Sequence, residues 1–457
     1  MPDWFTADRI DTVIVAFTGV YGRMLGKRMT YDHFVNHVLD SGTHACSYLL
    51  TTDIGMNTLP GFDLASWEQG YGDFHVRPDM STLRNLPWYE GTAAVMCDLF
   101  HDNGKAVDES PRQVLRSQVE KLADAGMKAY IGSELEFHLF REDYRTITEK
   151  GFRDLSPAGS YFIDYHVLQP GRDEDVLRRI RNELTAAGIP VECSKGECGN
   201  GQHEVNLVYA GPIEMADRHV LYKAGVKEIA SQQGKAVTFM AKWGANEAGN
   251  GFHLHTSLWK ADGKTNLFSP PRAGAAAPGG SPRGTTGHSK VFSQFLGGLL
   301  KYSRELACFF APTVNSYKRY QPNSWAPTAI VCGHDNRTCG FRVVGHGDSL
   351  RIENRMPGAD ANPYLTFAAT LAAGMRGIEE DLDCGPIYEG NAYADDTLPR
   401  LPESLEEAGR LLAESELARS AFGSNVVDLY AQAARLEVQA SRRAVTDWEL
   451  RRYFEQM

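Results

Sequence analysis

Four short stretches of this 457-residue chain carry acids, imidazoles and guanidiniums at spacings that suit a common site. In "GSELEFHLF" (132–140), Glu134 and Glu136 stand two apart in an otherwise apolar run. The alternation predicts a strand, in which residues i and i+2 share a face, so the two carboxylates project side by side. In "ECSKGECGNGQHEV", Glu197 and Glu204 flank a Gly-Asn-Gly turn, and "GNGFHLHTSLW" places His253 and His255 at i and i+2. "RIENR" turns Arg351, Glu353 and Arg355 to one face. Taken singly, each pattern also fits a solvated strand face or a satisfied core histidine. Their recurrence points instead to several strands facing one cavity. Neighbouring carboxylates raise each other's pKa unless a cation lies between them. Five glutamates and one metal-competent histidine form a hard-oxygen donor set that suits Mg²⁺ or Mn²⁺ rather than zinc. Two such ions keep the acids ionised and leave positions for phosphate oxygens. Arginines in "NSYKRYQ", "HDNRTCGFRVVG" and "RIENR" add bidentate anion sites. Carboxylates with arginines imply a phosphoanhydride substrate.

These groups need strands to aim them. "IDTVIVAF" (10–17) is a β-branched strand run, and "AAVMCDLFHDNGKAV" (93–107) reads as strand, Asn-Gly turn, strand. "DESPRQVLRSQVEKLADAG" offers Ser110 as N-cap, Pro111 at the first helical position and a closing glycine, so a second domain is expected to begin near residue 106. From there, strands near 129–140, 189–208, 251–259, 328–333, 339–344 and 350–355 alternate with helices such as "PYLTFAATLAAGMRGIEEDL", giving a mixed α and β domain of catalytic size. Residues 270–287, rich in Gly, Pro and Ala, read as a flexible solvent-exposed insertion, and the tail from 402 as helical. Composition is that of an ordinary globular protein, 42% hydrophobic and 23% charged. The net charge of −11 argues against nucleic acid or an anionic membrane surface as partner. No run of 18 apolar residues and no basic n-region is present, which predicts a cytoplasmic protein. The eight cysteines form no CxxC pair, so they are expected to be reduced thiols.

Seven motifs in order, "GSELEFHLF", "GECGNGQHEV", "TFMAKWGANEAGNGFHLHTSLW", "PTVNSYKRY", "NRTCGFRVVG", "RIENRMPGADANPYL" and "VTDWE", make the chain resemble the glutamine synthetase family from about residue 10 onward. The resemblance implies an α+β fold. A small β-grasp-like N-terminal domain (1–105) would join a catalytic domain (106–457) built as an antiparallel sheet funnel flanked by helices. It implies a dodecamer of two hexameric rings, ATP as co-substrate, L-glutamate as acceptor, and two or more Mg²⁺ or Mn²⁺ ions per subunit. Carried over by position, Glu136, Glu197 and Glu204 would hold one metal, and Glu134, His253 and Glu353 the other. Gly249, Arg319 and Arg355 would bind glutamate. Arg337 and Arg342 would stabilise the transferring phosphoryl group, and Glu192, His255 and Ser257 would contact the nucleotide.

The chain departs from ammonia-using members at the ammonium pocket. Their "DGSS" is absent, and Asp53 in "TTDIGMN" is its best counterpart, with Asp63 in "GFDLAS" as rival. Where the flap carries a glutamate before Ala-Pro, this chain has Trp325. Ala248 replaces the asparagine before the glutamate-site glycine, and the lysine expected before "RIE" is missing. Loss of the cation-selective features points to a different nucleophile, and the resemblance to family members with such substitutions implies a glutamate–amine ligase acting on ethanolamine, alkylamines, anilines or polyamines. Polyamines are disfavoured because no acid lies in the flap from Tyr320 to Pro327. The alternatives are an ammonia-dependent glutamine synthetase and, remotely, a non-catalytic structural member. Tyr393 falls near a tyrosine that some bacterial members adenylylate, but its surroundings differ and no modification is expected.

Overall fold

The computed structural model describes residues 1–168, 170–270 and 287–457. The expected insertion at 270–287 thus lies almost wholly outside the described residues. Among them, fourteen strands run in chain order: β1 Thr12–Thr18, β2 Met24–Thr30, β3 Thr43–Cys46, β4 Asp73–Pro78, β5 Arg84–Asn85, β6 Thr92–Phe100, β7 Met127–Phe140, β8 Val191–Gly196, β9 Gln202–Ala210, β10 Ala236–Thr238, β11 Phe252–Lys260, β12 Cys332–His334, β13 Phe341–Val344 and β14 Arg351–Asn354. They form two sheets. The first has the order β2-β1-β6-β4-β3 with β5 beside β6, and the second β12-β13-β14-β11-β7-β9-β8 with β10 beside β7.

The second sheet is mostly antiparallel, as expected of the funnel, but β12 and β13 run parallel. The run at 93–107 also differs from expectation. After β6 the chain turns through Asn103 and Gly104, and only Ala106 returns to make a single bridge with Phe100. Asn103 spends its side chain on the Lys105 backbone N–H at 2.9 Å, which makes a local turn and not a second strand. The run at 189–208 divides into β8 and β9 around the turn that holds Glu197.

β7 is the spine of the site. Ala129, Ile131, Ser133, Leu135, Phe137 and Leu139 point into the core, while Gly132, Glu134 and Glu136 alternate onto the opposite face. A bulge between Ile131 and Ser133 shifts the register with β9 and sets Glu136 opposite Glu204. On the other edge of β7, His253 of β11 pairs with Glu134, and His255 pairs across to Glu353 of β14.

Helices cover the buried face. Pro363–Glu379 begins at a proline with Asn362 accepting from the Tyr364 N–H, and is buried on nearly every side. It lies against Lys290–Tyr302 at glycines: a Cβ on Gly298 would come within 2.1 Å of the Ala373 carbonyl oxygen. Pro111–Asp124 starts where expected, although the Ser110 side chain makes no capping hydrogen bond. From this helix Arg112, with only 2% of its side chain exposed, reaches Asp79 (2.8 Å) and Asp98 (2.6 Å) of the first sheet region and Asp217 (3.0 Å) on Pro212–Gln232. One guanidinium therefore ties the first sheet to the helical layer.

Candidate active site

The second sheet opens onto a cavity of about 1010 Å³ lined by Glu134, Glu136, Glu197, Glu204, His253 and Glu353, together with Gly249, Arg319, Trp325, Arg337, Arg342 and Arg355. A second cavity of about 550 Å³ is lined by Glu192, His255, Ser257 and Arg351, and Glu134 and Asn206 border both. The two cavities hold every residue given a metal, glutamate, phosphoryl or nucleotide role from the sequence, and Trp325, but not the amine-site acids. Asp53 sits in the loop after Thr51, where its carboxylate accepts from the Asn57 backbone N–H (2.8 Å) and side-chain amide (2.9 Å). Asp63 borders a separate small hollow with Glu109, Asn425 and Asp428. Neither reaches the carboxylate cavity of its own chain.

Carboxylate oxygens of Glu136, Glu197 and Glu204 all lie within 4.8 Å of one another, and so do the donor atoms of Glu134, Glu204 and His253 and those of Glu134, His255 and Glu353. His253 Nδ1 stands 3.4 Å from Glu134 and 3.6 Å from Glu353. This cluster of oxygens with a buried imidazole fits divalent cations of the Mg²⁺ or Mn²⁺ kind. Backbone bracing orients Glu136, whose Oε2 accepts from the Gly251 N–H at 2.6 Å and from Gln202 Nε2 at 3.0 Å. Gly251 leaves room for this arrangement, since a Cβ there would crowd Arg319 Nη2 at 2.9 Å, His253 Nε2 at 3.0 Å and Glu136 Oε1 at 3.1 Å.

The acids do not share one electrostatic state. Burial, reinforced by the Glu134 charge, pushes Glu204 up to about 8. Burial opposes ionisation of Glu353 as well, but the Arg355 guanidinium wins and holds it down to about 2. Glu134 is likewise held well below the usual carboxylate range, against burial, by hydrogen bonds from His253 and His255. Burial keeps His253 below its ordinary value, so its imidazole is neutral and able to ligate. Arg355 and Arg342 clasp Glu353 at 2.6 and 2.8 Å, and Arg342 also pairs with Asp335. Arg319 is buried and donates to the Met356 and Arg355 carbonyls at 3.0 and 3.3 Å, which fixes the plane of its guanidinium.

Lys195, which the sequence reading passed over, forms an ion pair with Glu197 and lies 3.6 Å from Glu204 and 4.8 Å above the Tyr165 ring. It stands two positions before Glu197, and that spacing was the available signal. Asp164 and Cys198 also join Glu197 as a fourth donor group, although burial raises the Cys198 thiol to about 11 and keeps it a poor ligand for hard cations.

Trp325 borders the large cavity with 57% of its surface exposed and a left-handed backbone, φ +64°. For a bulky residue that conformation is strained and marks a segment held by its surroundings. Arg355 Nη2 donates to its carbonyl at 3.4 Å and Tyr393 OH to that of Ala326 at 2.9 Å. The flap carries no acid, but Asp164, Asp335 and Glu389 line the same cavity from other segments, so the flap alone gives no reason to refuse a distal ammonium group.

Comparison with known proteins agrees with this geometry. The family model described as glutamine synthetase, catalytic domain, matches residues 108–453. The γ-glutamylethanolamide synthetase of Streptomyces coelicolor is 49% identical over 451 residues, covering 99% of this chain and 94% of that protein. The glutamate–isopropylamine ligase of a Pseudomonas species is 35% identical over 456 residues, covering 99% and 97%. The solved structure of GmaS with ADP superposes with a TM-score of 0.84 at 29% identity, covering 99% of this chain and all of the other. The family model over most of the chain and relatives of 49% and 35% identity along nearly its whole length show that the chain belongs to the glutamine synthetase family.

Proposed function

We propose that this protein is an ATP-dependent glutamate–amine ligase, which joins the γ-carboxylate of L-glutamate to a primary amine and releases ADP and phosphate. One observation carries the choice of nucleophile: the exposed indole of Trp325 borders the cavity at the place where ammonia-using relatives are expected to carry an acid. An indole offers apolar area worth roughly 25 cal/mol per Å² buried and a face for a passing ammonium, and neither feature favours bare ammonium.

In this reading, Glu136, Glu197 and Glu204 hold one divalent cation and Glu134, His253 and Glu353 another. Bound there, the ions neutralise charge on phosphoryl oxygens. Arg319, Arg355 and the backbone at Gly249 orient glutamate so that a γ-carboxylate oxygen faces the γ-phosphorus of ATP. Arg337 and Arg342 neutralise charge on the phosphoryl group in flight, and Glu192 and Ser257 seat the nucleotide. The carboxylate displaces ADP to give γ-glutamyl phosphate. The amine nitrogen then attacks the acyl carbon, phosphate leaves, and the nitrogen gives up a proton. Because Asp53 lies away from its own chain's cavity, we assign it, with Asp63 as rival, to the cavity of a neighbouring copy in a dodecamer of two hexameric rings. We place the domain boundary at 105/106 and the protein in the cytoplasm; no helix among the described residues is long and apolar enough to cross a membrane.

The test is phosphate release with glutamate, ATP and Mg²⁺ against a panel of ammonia, ethanolamine, isopropylamine, aniline and a diamine. Release stimulated by ethanolamine or an alkylamine above ammonia is expected. Stimulation by ammonia alone would make the protein a glutamine synthetase.

A further inference from the structure

Asn315 opens the short turn Ser316–Lys318, at the position where an asparagine side chain ordinarily caps the backbone N–H groups of its own helix. Here it makes no such cap. Its amide reaches instead to Lys242, where Oδ1 accepts from the backbone N–H at 2.9 Å and Nδ2 donates to the carbonyl at 2.8 Å. The two backbone groups demand an acceptor and a donor in fixed order, so the amide has one orientation. The side chain pairs with Lys242 as a neighbouring strand would.

This clamp joins the two elements that carry Gly249 and Arg319. Lys242 begins the loop that returns to Gly249: the Asn250 N–H donates to the Ala241 carbonyl at 2.9 Å, and Lys242 Nζ donates to the Glu247 carbonyl. On the other side, Arg319 ends the turn that Asn315 opens, and the Thr313 and Ser316 hydroxyls anchor that segment by donating to Asp360 Oδ2 at 2.8 and 2.6 Å. The Arg319 stem lies directly on Gly249, where a Cβ would stand 2.8 Å from Arg319 Cγ and 2.9 Å from the Ala241 carbonyl oxygen. Arg319 is buried, so its guanidinium has little freedom to make good a shift of either element.

We propose that Asn315 is a positioning residue for L-glutamate: by clamping Lys242 it fixes the separation between the Arg319 guanidinium and the Gly249 backbone. Asn315 itself does not line the cavity, so its effect on glutamate passes through these two elements. The proposal rests on the reading of Arg319 and Gly249 as glutamate-binding groups, and a control separates the two.

Calorimetry titrates L-glutamate into the full-length enzyme saturated with Mg²⁺ and ADP, and separately ADP into the Mg²⁺-loaded enzyme. Arg319→Met should abolish glutamate binding; if it binds glutamate like the parent, the reading of the site fails. Asn315→Leu, close in shape and without a hydrogen bond to offer, should weaken glutamate by ~10-fold or more, the scale of two neutral hydrogen bonds and of a small misplacement. Its ADP affinity should stay at the parent's value, and kinetics should show a raised KM for glutamate with an unchanged KM for ATP. Parental glutamate affinity would overturn the proposal, and so would equal weakening of glutamate and ADP, the sign of a generally loosened fold. Partial unfolding does not blur the result, because it lowers the binding stoichiometry and not the affinity of the molecules still folded. Should the leucine variant not fold at all, Asn315→Asp, which keeps the acceptor for the Lys242 N–H and loses the donor, is measured in the same way and the same outcomes decide.

Discussion

Two ionic clusters in this molecule are built from the same residue types and serve opposite ends. Around Arg112, each carboxylate is claimed: Asp79, Asp98 and Asp217 take its Nη2, Nη1 and Nε atoms, Arg116 adds a 2.8 Å contact to Asp98, and Tyr364 donates to Asp217 at 2.5 Å. In the large cavity the acids outnumber the cations that reach them, and among the described residues the cation paired with Glu204 is Lys195 at 3.6 Å, against the charges of Glu134 and Glu136. A buried cluster that satisfies itself is a fastener. One left unbalanced and open to a cavity calls for a ligand to complete it.

Substitutions should separate the two. Glu204→Gln is expected to lower amine-dependent phosphate release by ~10²–10³-fold or more, the scale of losing one preorganised electrostatic group. Its metal-free melting temperature at pH 7 should stay unchanged, because the parent's Glu204, raised to about 8, already carries a proton there. Arg112→Met should do the reverse. It leaves Asp217, 1% exposed, without its counter-charge, and should cost about 3–5 kcal/mol of stability by denaturant unfolding whatever metal is supplied.

The protonation of Glu204 sharpens the contrast further. Its folded value exceeds its ordinary 4.5, so in the metal-free enzyme it favours the fold fully below about 4.5, and this contribution fades as the pH rises through about 8. Metal needs the carboxylate, so Mg²⁺ affinity should climb by up to about tenfold per pH unit up to that point and then level off. Calorimetric Mg²⁺ titrations at pH 6.5, 7.5 and 8.5 check this; an affinity flat across the series would remove Glu204 from the ligand set. The smallest effect is expected at the rim. Trp325→Glu should raise glutamine formation from ammonia several-fold relative to amide formation from ethanolamine, with little change in melting temperature, and an unaltered product ratio would leave the indole a packing residue.

What was legible in the sequence was the part governed by period two. Glu134 and Glu136, His253 and His255, and Glu353 beside Arg355 declare their shared faces through spacing alone, and the structure gathers them on adjacent strands. Less legible was whatever depends on strand neighbours. Arg351 meets His255 only because β14 lies beside β11, and nothing local to "SLRIE" announces that pairing. Lys195 escaped notice for a different reason: a lysine beside glutamates on a strand reads as an ordinary surface pair until burial shows where it points. The second strand expected near residue 105 failed because the Asn103 side chain closed the turn locally, and the parallel β12–β13 pair depends on a crossover that no short window can see.

The flap is fastened through its main chain. Arg355 and Tyr393 grip the carbonyls of Trp325 and Ala326, and a carbonyl is present whichever amino acid occupies the position. The geometry of the cavity mouth is thereby uncoupled from the identity of the side chain that faces the incoming amine. A lineage can exchange that side chain in a single codon change without unfastening the loop, so nucleophile preference within this architecture can drift quickly while the phosphoryl-transfer machinery behind it stays fixed.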